Sequence, residues 1–344
     1  MAKRDIIVVG ASAGGVSVLK QLVKSFPKDF SASVFIVLHV PPFSPSKIPD
    51  ILSSGGVLEA VHPKEAEKIE RGKIYVACPD HHLILEDGNV LVKKGPKENR
   101  FRPSIDALFR SAAYTYKERV IGVVLSGALD DGTSGLWTIK RMGGIAICQD
   151  PEEAAFPEMS LSVQKYVEAD YILQISEMGA VLNKLVSEDS AEEQDIPQEE
   201  LDRLALEVKI ATSDNAFEKG IMEMGEVSPF TCPSCNGALV RMKEDVRIRY
   251  RCHTGHAFTA SALLAGVSQS VEEILWQAMR GLEETSMLLR QIGDEIKDAG
   301  NAKMADNFLQ KAKETAGKAR TVHNSVFETE RLSADLQYKQ EKGK

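Results

Sequence analysis

The chain alternates short, predominantly apolar runs with stretches whose apolar residues recur every three to four positions. Asp5–Gly10, Val34–Leu38, Lys73–Ala77, Val120–Leu125 and Ile145–Gln149 have the length and β-branched content of buried strands. Between them Val16–Phe26, Ile105–Lys117 and Gly135–Met142 carry the helical period. Strands apolar on both faces and separated by helices predict an α/β fold, a doubly wound, mostly parallel sheet. One β-hairpin interrupts the alternation, His82–Glu86 and Asn89–Lys93 around the turn Asp87-Gly88.

The pattern changes after residue 186. Ser187–Glu200 is acidic and nearly free of apolar residues, the mark of a solvated linker. It opens a segment, 187–227, of linker and helix. A compact cysteine module follows at 228–259, and the stretch 260–340 is helical. There Val271, Ile274, Leu275, Ala278, Met279 and Leu282 keep the helical period, and after a break near Gly300 the pattern resumes from Phe308 to Val326. Two such helices predict a C-terminal α-helical hairpin. Its apolar stripe must be buried somewhere, which predicts docking of a partner or a homo-oligomer formed through these helices.

Composition removes several function classes. A net charge of -8 argues against non-specific nucleic-acid binding. No apolar run approaches the roughly 20 residues a membrane helix needs, and no signal peptide is evident, so membrane insertion is not expected. The five cysteines are two isolated ones, Cys78 and Cys148, and three clustered late in the chain. That is a metal pattern in a reducing compartment and points to the cytoplasm.

Candidate chemistry gathers at strand ends. Gly10-Ala11-Ser12-Ala13-Gly14 joins the first strand to the first helix, a context that holds a serine on a sharp turn and exposes it as a nucleophile. Such turns also cradle phosphates. A serine needs an adjacent base, and His39 ends the second strand. Asp130 and Asp131 follow the strand Val120–Leu125 in another glycine-rich turn. In a doubly wound sheet these strand ends share one edge, so either aspartate could orient His39. The backbone N–H of Ala13 could meet an oxyanion. A dinucleotide site would want an acidic residue where His39 stands, and the order Ser, His, Asp is not that of the α/β-hydrolases.

The blocks IIVVGASAGGVSVL, VLHVPP, IYVACPDHHLILEDG, RPSIDALFRSAA, LSGALDDGTSGL and GGIAICQDPEEAAFPEM, in order through residues 5–185, resemble the methylesterase domain of chemotaxis protein-glutamate methylesterases of the CheB type. The resemblance implies that residues 1–186 are the catalytic domain and that Ser12, His39 and Asp131 form its triad, leaving Asp130 as a turn residue. It implies a second oxyanion donor, the backbone N–H of Ala128. It also implies hydrolysis of glutamate γ-methyl esters, with glutamine deamidation as a companion activity, on a methylated receptor or other methyl-accepting protein served by a cognate methyltransferase system. Ala13 replaces the threonine common after the nucleophile, and Gly127-Ala128-Leu129 replaces a common Gly-Met-Gly. The catalytic strand begins at Asp5, so a stand-alone form without a receiver domain is expected. The competing reading is a catalytically silent signalling scaffold that binds partners through its cysteine module and helices.

Cys232-Pro-Ser-Cys235 and Cys252-His-Thr-Gly-His256 have the spacing of a small zinc ribbon. Cys232, Cys235, Cys252 and His256 are the expected ligands of a structural Zn, with His253 pointing away; catalysis needs no cofactor. The basic positions Arg241, Lys243, Arg247, Arg249 and Arg251 are expected to form a solvated face. Ser104 and Asp106 are expected to cap the helix they begin, His81 and His82 to be structural, and Cys78 and Cys148 to be small buried residues.

Overall fold

The computed structural model describes residues 3–43, 45–192, 194–212, 220–244 and 247–335. Lys243 and Arg247, as side chains, and Asp245 lie outside the described residues, as does the part of the expected helical hairpin beyond 335. The chain divides into two compact units, residues 1–263 and 264–344.

In the first unit the strands are β1 (Ile6–Ala11), β2 (Ser33–Leu38), β3 (Glu59–Val61), β4 (Glu67–Lys68), β5 (Lys73–Val76), β6 (His82–Glu86), β7 (Asn89–Lys93), β8 (Val120–Val124), β9 (Ile145–Gln149) and β10 (Tyr171–Leu173). The helices are α1 (Gly15–Lys24), α2 (Ile48–Gly55), α3 (Ile105–Tyr116), α4 (Thr133–Arg141), α5 (Glu158–Tyr166), α6 (Ile175–Ser187) and α7 (Gln198–Ala211). Seven strands form a wholly parallel sheet in the order β10-β9-β8-β1-β2-β5-β3. β4, β7 and β6 make a separate antiparallel sheet.

The period-2 geometry of a strand explains the two apolar layers. In β1, Ile7, Val9 and Ala11 enter a core with Leu19 and Leu22 of α1 and Leu182 of α6. Ile6 and Val8 enter the opposite core with Leu108 and Phe109 of α3 and Leu136 of α4. The chain runs outward from β1 through β2 to β5 and β3, then returns to the other side of β1 as β8, β9 and β10. The strand order therefore reverses between β1 and β8, and in open α/β sheets the crevice at that point is where ligands bind. β3 and β10, three residues each, carried too little pattern to be read from sequence.

The cysteine module is a four-stranded antiparallel sheet of β11 (Glu226–Thr231), β12 (Ala238–Glu244), β13 (Arg247–Cys252) and β14 (Ala257–Thr259). Two of its basic residues turn inward where a solvated face was expected. Arg249 and Arg251, two apart on β13 and so on one side of it, are buried, where they meet Glu207 of α7 and Glu98. Ionic partners on other elements turn that side inward. Arg241 is exposed. β14 runs directly into α8 (Ala260–Asp298).

The second unit contains α8 from Leu264 onward and α9 (Ala302–Asp335), joined through Gly300, whose φ of +88° suits a tight reversal. The Ser286 hydroxyl donates to the Ala312 carbonyl at 2.8 Å, and Trp276 packs edge-on against His323. The two helices are thus antiparallel. Among the described residues no helix is long and apolar enough to cross a membrane.

Candidate active site

Ser12 sits immediately beyond β1, its N–H donating to the Ser126 carbonyl at 3.0 Å and its carbonyl accepting from Gly15 N–H at 2.9 Å. Gly14 caps α1 with φ +74°, a conformation that favours glycine. The facing turn after β8 comes close. A Cβ added to Gly127 would lie 2.8 Å from Ser12 Cβ and 1.9 Å from Met159 Sδ, so only glycine fits beside the serine.

His39, one residue beyond β2, bridges Ser12 and Asp131. Its Nδ1 lies 3.1 Å from Ser12 Oγ and its Nε2 lies 2.9 Å from Asp131 Oδ2. A carboxylate only accepts, so Nε2 carries the proton donated to Asp131 and the Nδ1 lone pair faces the serine hydroxyl. The ring thus presents the opposite nitrogen to the serine from that in the chymotrypsin arrangement. Phe101 stacks on it, with ring centroids 3.7 Å apart and planes at 9°.

Asp131 is fully buried, and its oxygens gather further donors. Oδ1 accepts from Asn99 Nδ2 and Ser104 Oγ at 2.8 and 2.9 Å and from Asp106 N–H at 3.3 Å; Oδ2 accepts from Ile105 N–H at 2.8 Å. Burial alone would raise this carboxyl, but the bonds from His39, Asn99 and Ile105 outweigh it and hold it at about 2. The group is a fixed anion.

Asp130 does not face His39. Its carboxylate accepts from Thr259 Oγ1 at 2.7 Å, and burial, with the Asp131 charge adding to it, pushes the carboxyl up to about 6 against the Thr259 bond. Ser104 holds the N-cap position of α3, but neither its side chain nor that of Asp106 makes a capping bond there. The Ser104 hydroxyl goes to Asp131, and Asp106 accepts from Gly132 and Gly135 N–H at 3.1 and 2.6 Å, capping α4 from a neighbouring element. The approach of α3 to α4 brings those donors within reach. Burial, then the Asp131 charge, raises the Asp106 carboxyl to about 7.

Among the described residues the N–H groups of Ala13 and Ala128 donate to no protein acceptor, and both belong to the turns that meet at Ser12. Between Ala128 and Asp130, Leu129 is left-handed at φ +63°. The turn thus keeps a glycine-type conformation on a residue that is strained there. His82 is buried between Pro96 O and Ser104 N–H, and its burial lowers its pKa. Cys148 is buried, whereas Cys78 is only half-buried.

The cysteine module brings together Cys232, Cys235, Cys252 and His256, whose ligand atoms all lie within 4.8 Å of one another; His253 is not among them. Cys235 Sγ is 3.7 Å from Cys252 Sγ, and His256 Nδ1 is 3.7 and 3.5 Å from the sulfurs of Cys232 and Cys252. A tetrahedral zinc with ordinary bond lengths needs S···S of about 3.8 Å and S···N of about 3.6 Å, so the donor set fits such an ion.

Two interactions ran beneath anything visible in the sequence. Glu98 and Arg110 pair in the interior, and Arg251 joins Glu98 and Glu207 at 3.0 and 2.8 Å, with Arg249 also on Glu207. Burial opposes ionisation of both glutamates, yet the arginines hold Glu98 at about 2 and Glu207 well below the usual carboxylate range. Asn99 is the other. Nothing in its spacing marks a residue that touches Asp131, Asp106 and the cysteine module at once.

A parallel α/β sheet with a serine, a histidine and an aspartate hydrogen-bonded in line at its switch point defines a candidate serine hydrolase. Residues 7–182 match the CheB methylesterase family, and the chain belongs to that family of carboxylic ester hydrolases. A relative from Leptospira interrogans is 35% identical over 182 residues, 53% of this chain and 94% of its own length. One from Methanosarcina mazei is 33% identical over 191 residues, 53% of this chain and 52% of the relative. Both carry protein-glutamate methylesterase/protein-glutamine glutaminase in their names. The crystal structure of the Thermotoga maritima CheB methylesterase catalytic domain is 33% identical with a TM-score of 0.51, covering 54% of this chain and all of that one.

Proposed function

We propose that this chain is a protein-glutamate methylesterase in which Ser12 is the nucleophile, His39 the general base and Asp131 the residue that orients and charges the pair. The observation that carries the reading is the line Ser12 Oγ–His39 Nδ1, His39 Nε2–Asp131 Oδ2, at 3.1 and 2.9 Å, in a chain of the CheB methylesterase family. Ser12 attacks the γ-carbonyl carbon of a glutamate methyl ester while His39 Nδ1 takes its proton. The oxyanion that forms is met by the N–H groups of Ala13 and Ala128. His39 returns the proton to the departing methanol, and a water then cleaves the acyl-enzyme by the same route, regenerating Ser12 and leaving glutamate. Attack on glutamine in place of the ester would release ammonia and gives the companion deamidation. The substrate class proposed is a methylated chemoreceptor-like protein, consistent with the relatives' names.

The cysteine module is proposed to hold one structural zinc on Cys232, Cys235, Cys252 and His256, which would supply a closed shell and no chemistry at Ser12. Elemental analysis should find one zinc per chain, lost in Cys235→Ser.

The decisive measurement is methanol release from methylated receptor cytoplasmic fragments by the full chain. Ser12→Ala should lose several orders of magnitude in rate. Release at the wild-type rate by Ser12→Ala would overturn the assignment.

A further inference from the structure

The segment between the β6–β7 hairpin and α3 faces the candidate site on one side and the cysteine module on the other. Glu98 N–H donates to Phe101 O at 3.1 Å and Phe101 N–H to Glu98 O at 2.8 Å, closing a tight turn. Its central residues Asn99 and Arg100 are both left-handed, with φ of +50° and +76°, the type I′ pattern. Asparagine takes this conformation readily, whereas Arg100 is strained in it, and such strain persists where the surroundings over-determine the conformation.

The cysteine module supplies those surroundings. Asn99 N–H donates to Ala257 O at 2.7 Å, Ala257 N–H to Lys97 O at 3.2 Å, and Arg251 holds Glu98. From the same turn two side chains reach the active pair. Phe101 stacks on His39. The buried Asn99 amide donates to Asp131 Oδ1 and Asp106 Oδ2, both at 2.8 Å, while its oxygen accepts from Thr259 N–H at 2.9 Å. Both amide hydrogens and the oxygen are thus engaged, one end on the acid and the other on the module.

We infer that Asn99 is a positioning residue that ties the cysteine module to the Asp131–His39 pair, so that the state of the Cys3His cluster is felt at Ser12. The points of attachment flank the cluster along the chain. Arg251 precedes Cys252, and Ala257 and Thr259 follow His256 by one and three residues. Loosening of the 252–256 loop therefore reaches Glu98 and Asn99 together. The inference rests on the esterase reading above.

Asn99→Gly in the full chain is the informative variant, because glycine accepts the left-handed φ without strain and removes only the amide. Relative to wild type, kcat should fall about 10–100-fold, with KM for the methylated fragment within about twofold. The acid limb of the kcat/KM profile should move, because Asp131 loses a donor to its charged form. An unmoved profile and full turnover in Asn99→Gly, with Ser12→Ala inactive, would overturn the inference and leave the esterase standing. No Ser12-dependent methanol release from wild type would overturn both.

A second arm follows the rate at which a phosphonofluoridate labels Ser12, before and after zinc is removed by a chelator, with zinc content measured. Labelling of wild type should slow about tenfold and recover when zinc is returned, while Asn99→Gly responds less than about twofold, the non-additivity expected of coupled groups. Labelling of wild type that ignores zinc, or equal slowing in both proteins, would overturn the link. The wild-type measurement stands even if the variant folds poorly.

Discussion

Replacing Asp131 by asparagine keeps volume and shape and exchanges one acceptor for a donor. Five donors converge on this carboxylate: Asn99 Nδ2, Ser104 Oγ and Asp106 N–H on Oδ1, and His39 Nε2 and Ile105 N–H on Oδ2. With the amide oxygen at the Oδ1 position, the new NH2 meets His39 and Ile105. The reverse orientation would oppose three donors, and each unsatisfied buried group costs about 1–3 kcal/mol, so the first prevails. His39 can then adapt only by carrying its proton on Nδ1, which aims an N–H at Ser12 and removes the lone pair that should take the serine proton. Ile105 N–H loses its acceptor as well, at about 1–3 kcal/mol of stability. The wrong tautomer should lower kcat by about 10⁴, or about 5.4 kcal/mol of barrier. Methanol release at pH 7 reads the first effect and thermal unfolding the second. A folded Asp131→Asn protein that keeps more than about a tenth of wild-type kcat/KM would refute the tautomer argument.

Three further outcomes follow from other parts of the molecule. Leu129→Gly relieves a left-handed backbone and should stabilise the protein by about 1 kcal/mol or slightly less after glycine's entropy is counted; a lowered melting temperature would refute the strain. Asp130, raised to about 6, faces the Asp131 carboxylate and the hydroxyls of Thr259 and Ser261. A raised carboxyl contributes stability below its ordinary pKa that is lost as pH rises through the folded value, so Asp130→Asn should gain about 1–3 kcal/mol on wild type between pH 4 and 7. A stability difference flat with pH would contradict this. Arg251→Met leaves Glu98 and Glu207 short of a cation in the interior and should cost about 3–5 kcal/mol in denaturant unfolding. A loss below about 1 kcal/mol would show that the buried ions do not depend on one another.

The sheet was legible because its strands are buried on both faces and so read as unbroken apolar runs, with Ser12, His39 and the Asp130-Asp131 turn at their ends. Spacing alone could not choose between the two aspartates; the choice follows from the turn geometry, which sends Asp130 to Thr259 and Asp131 to His39. Arg249 and Arg251 do not follow the solvated-face reading, because a charged alternating strand has the same pattern whether it faces water or buried glutamates. Glu98 and Glu207 lie 153 and 44 residues from Arg251, and no local signal spans that distance. Asp106 has the sequence position of a cap for its own helix but caps another, since its donors arrive only once α3 and α4 pack.

The interior ion cluster also bears on how this sequence can drift. Glu98 precedes α3, Arg110 is within it, Glu207 belongs to α7, and Arg249 and Arg251 lie on β13, yet none of these five can change sign alone without stranding a charge away from water. A lineage that altered Arg251 would be held to an answering change at Glu98 or Glu207. Stretches of chain that look separable would thereby accumulate substitutions in step.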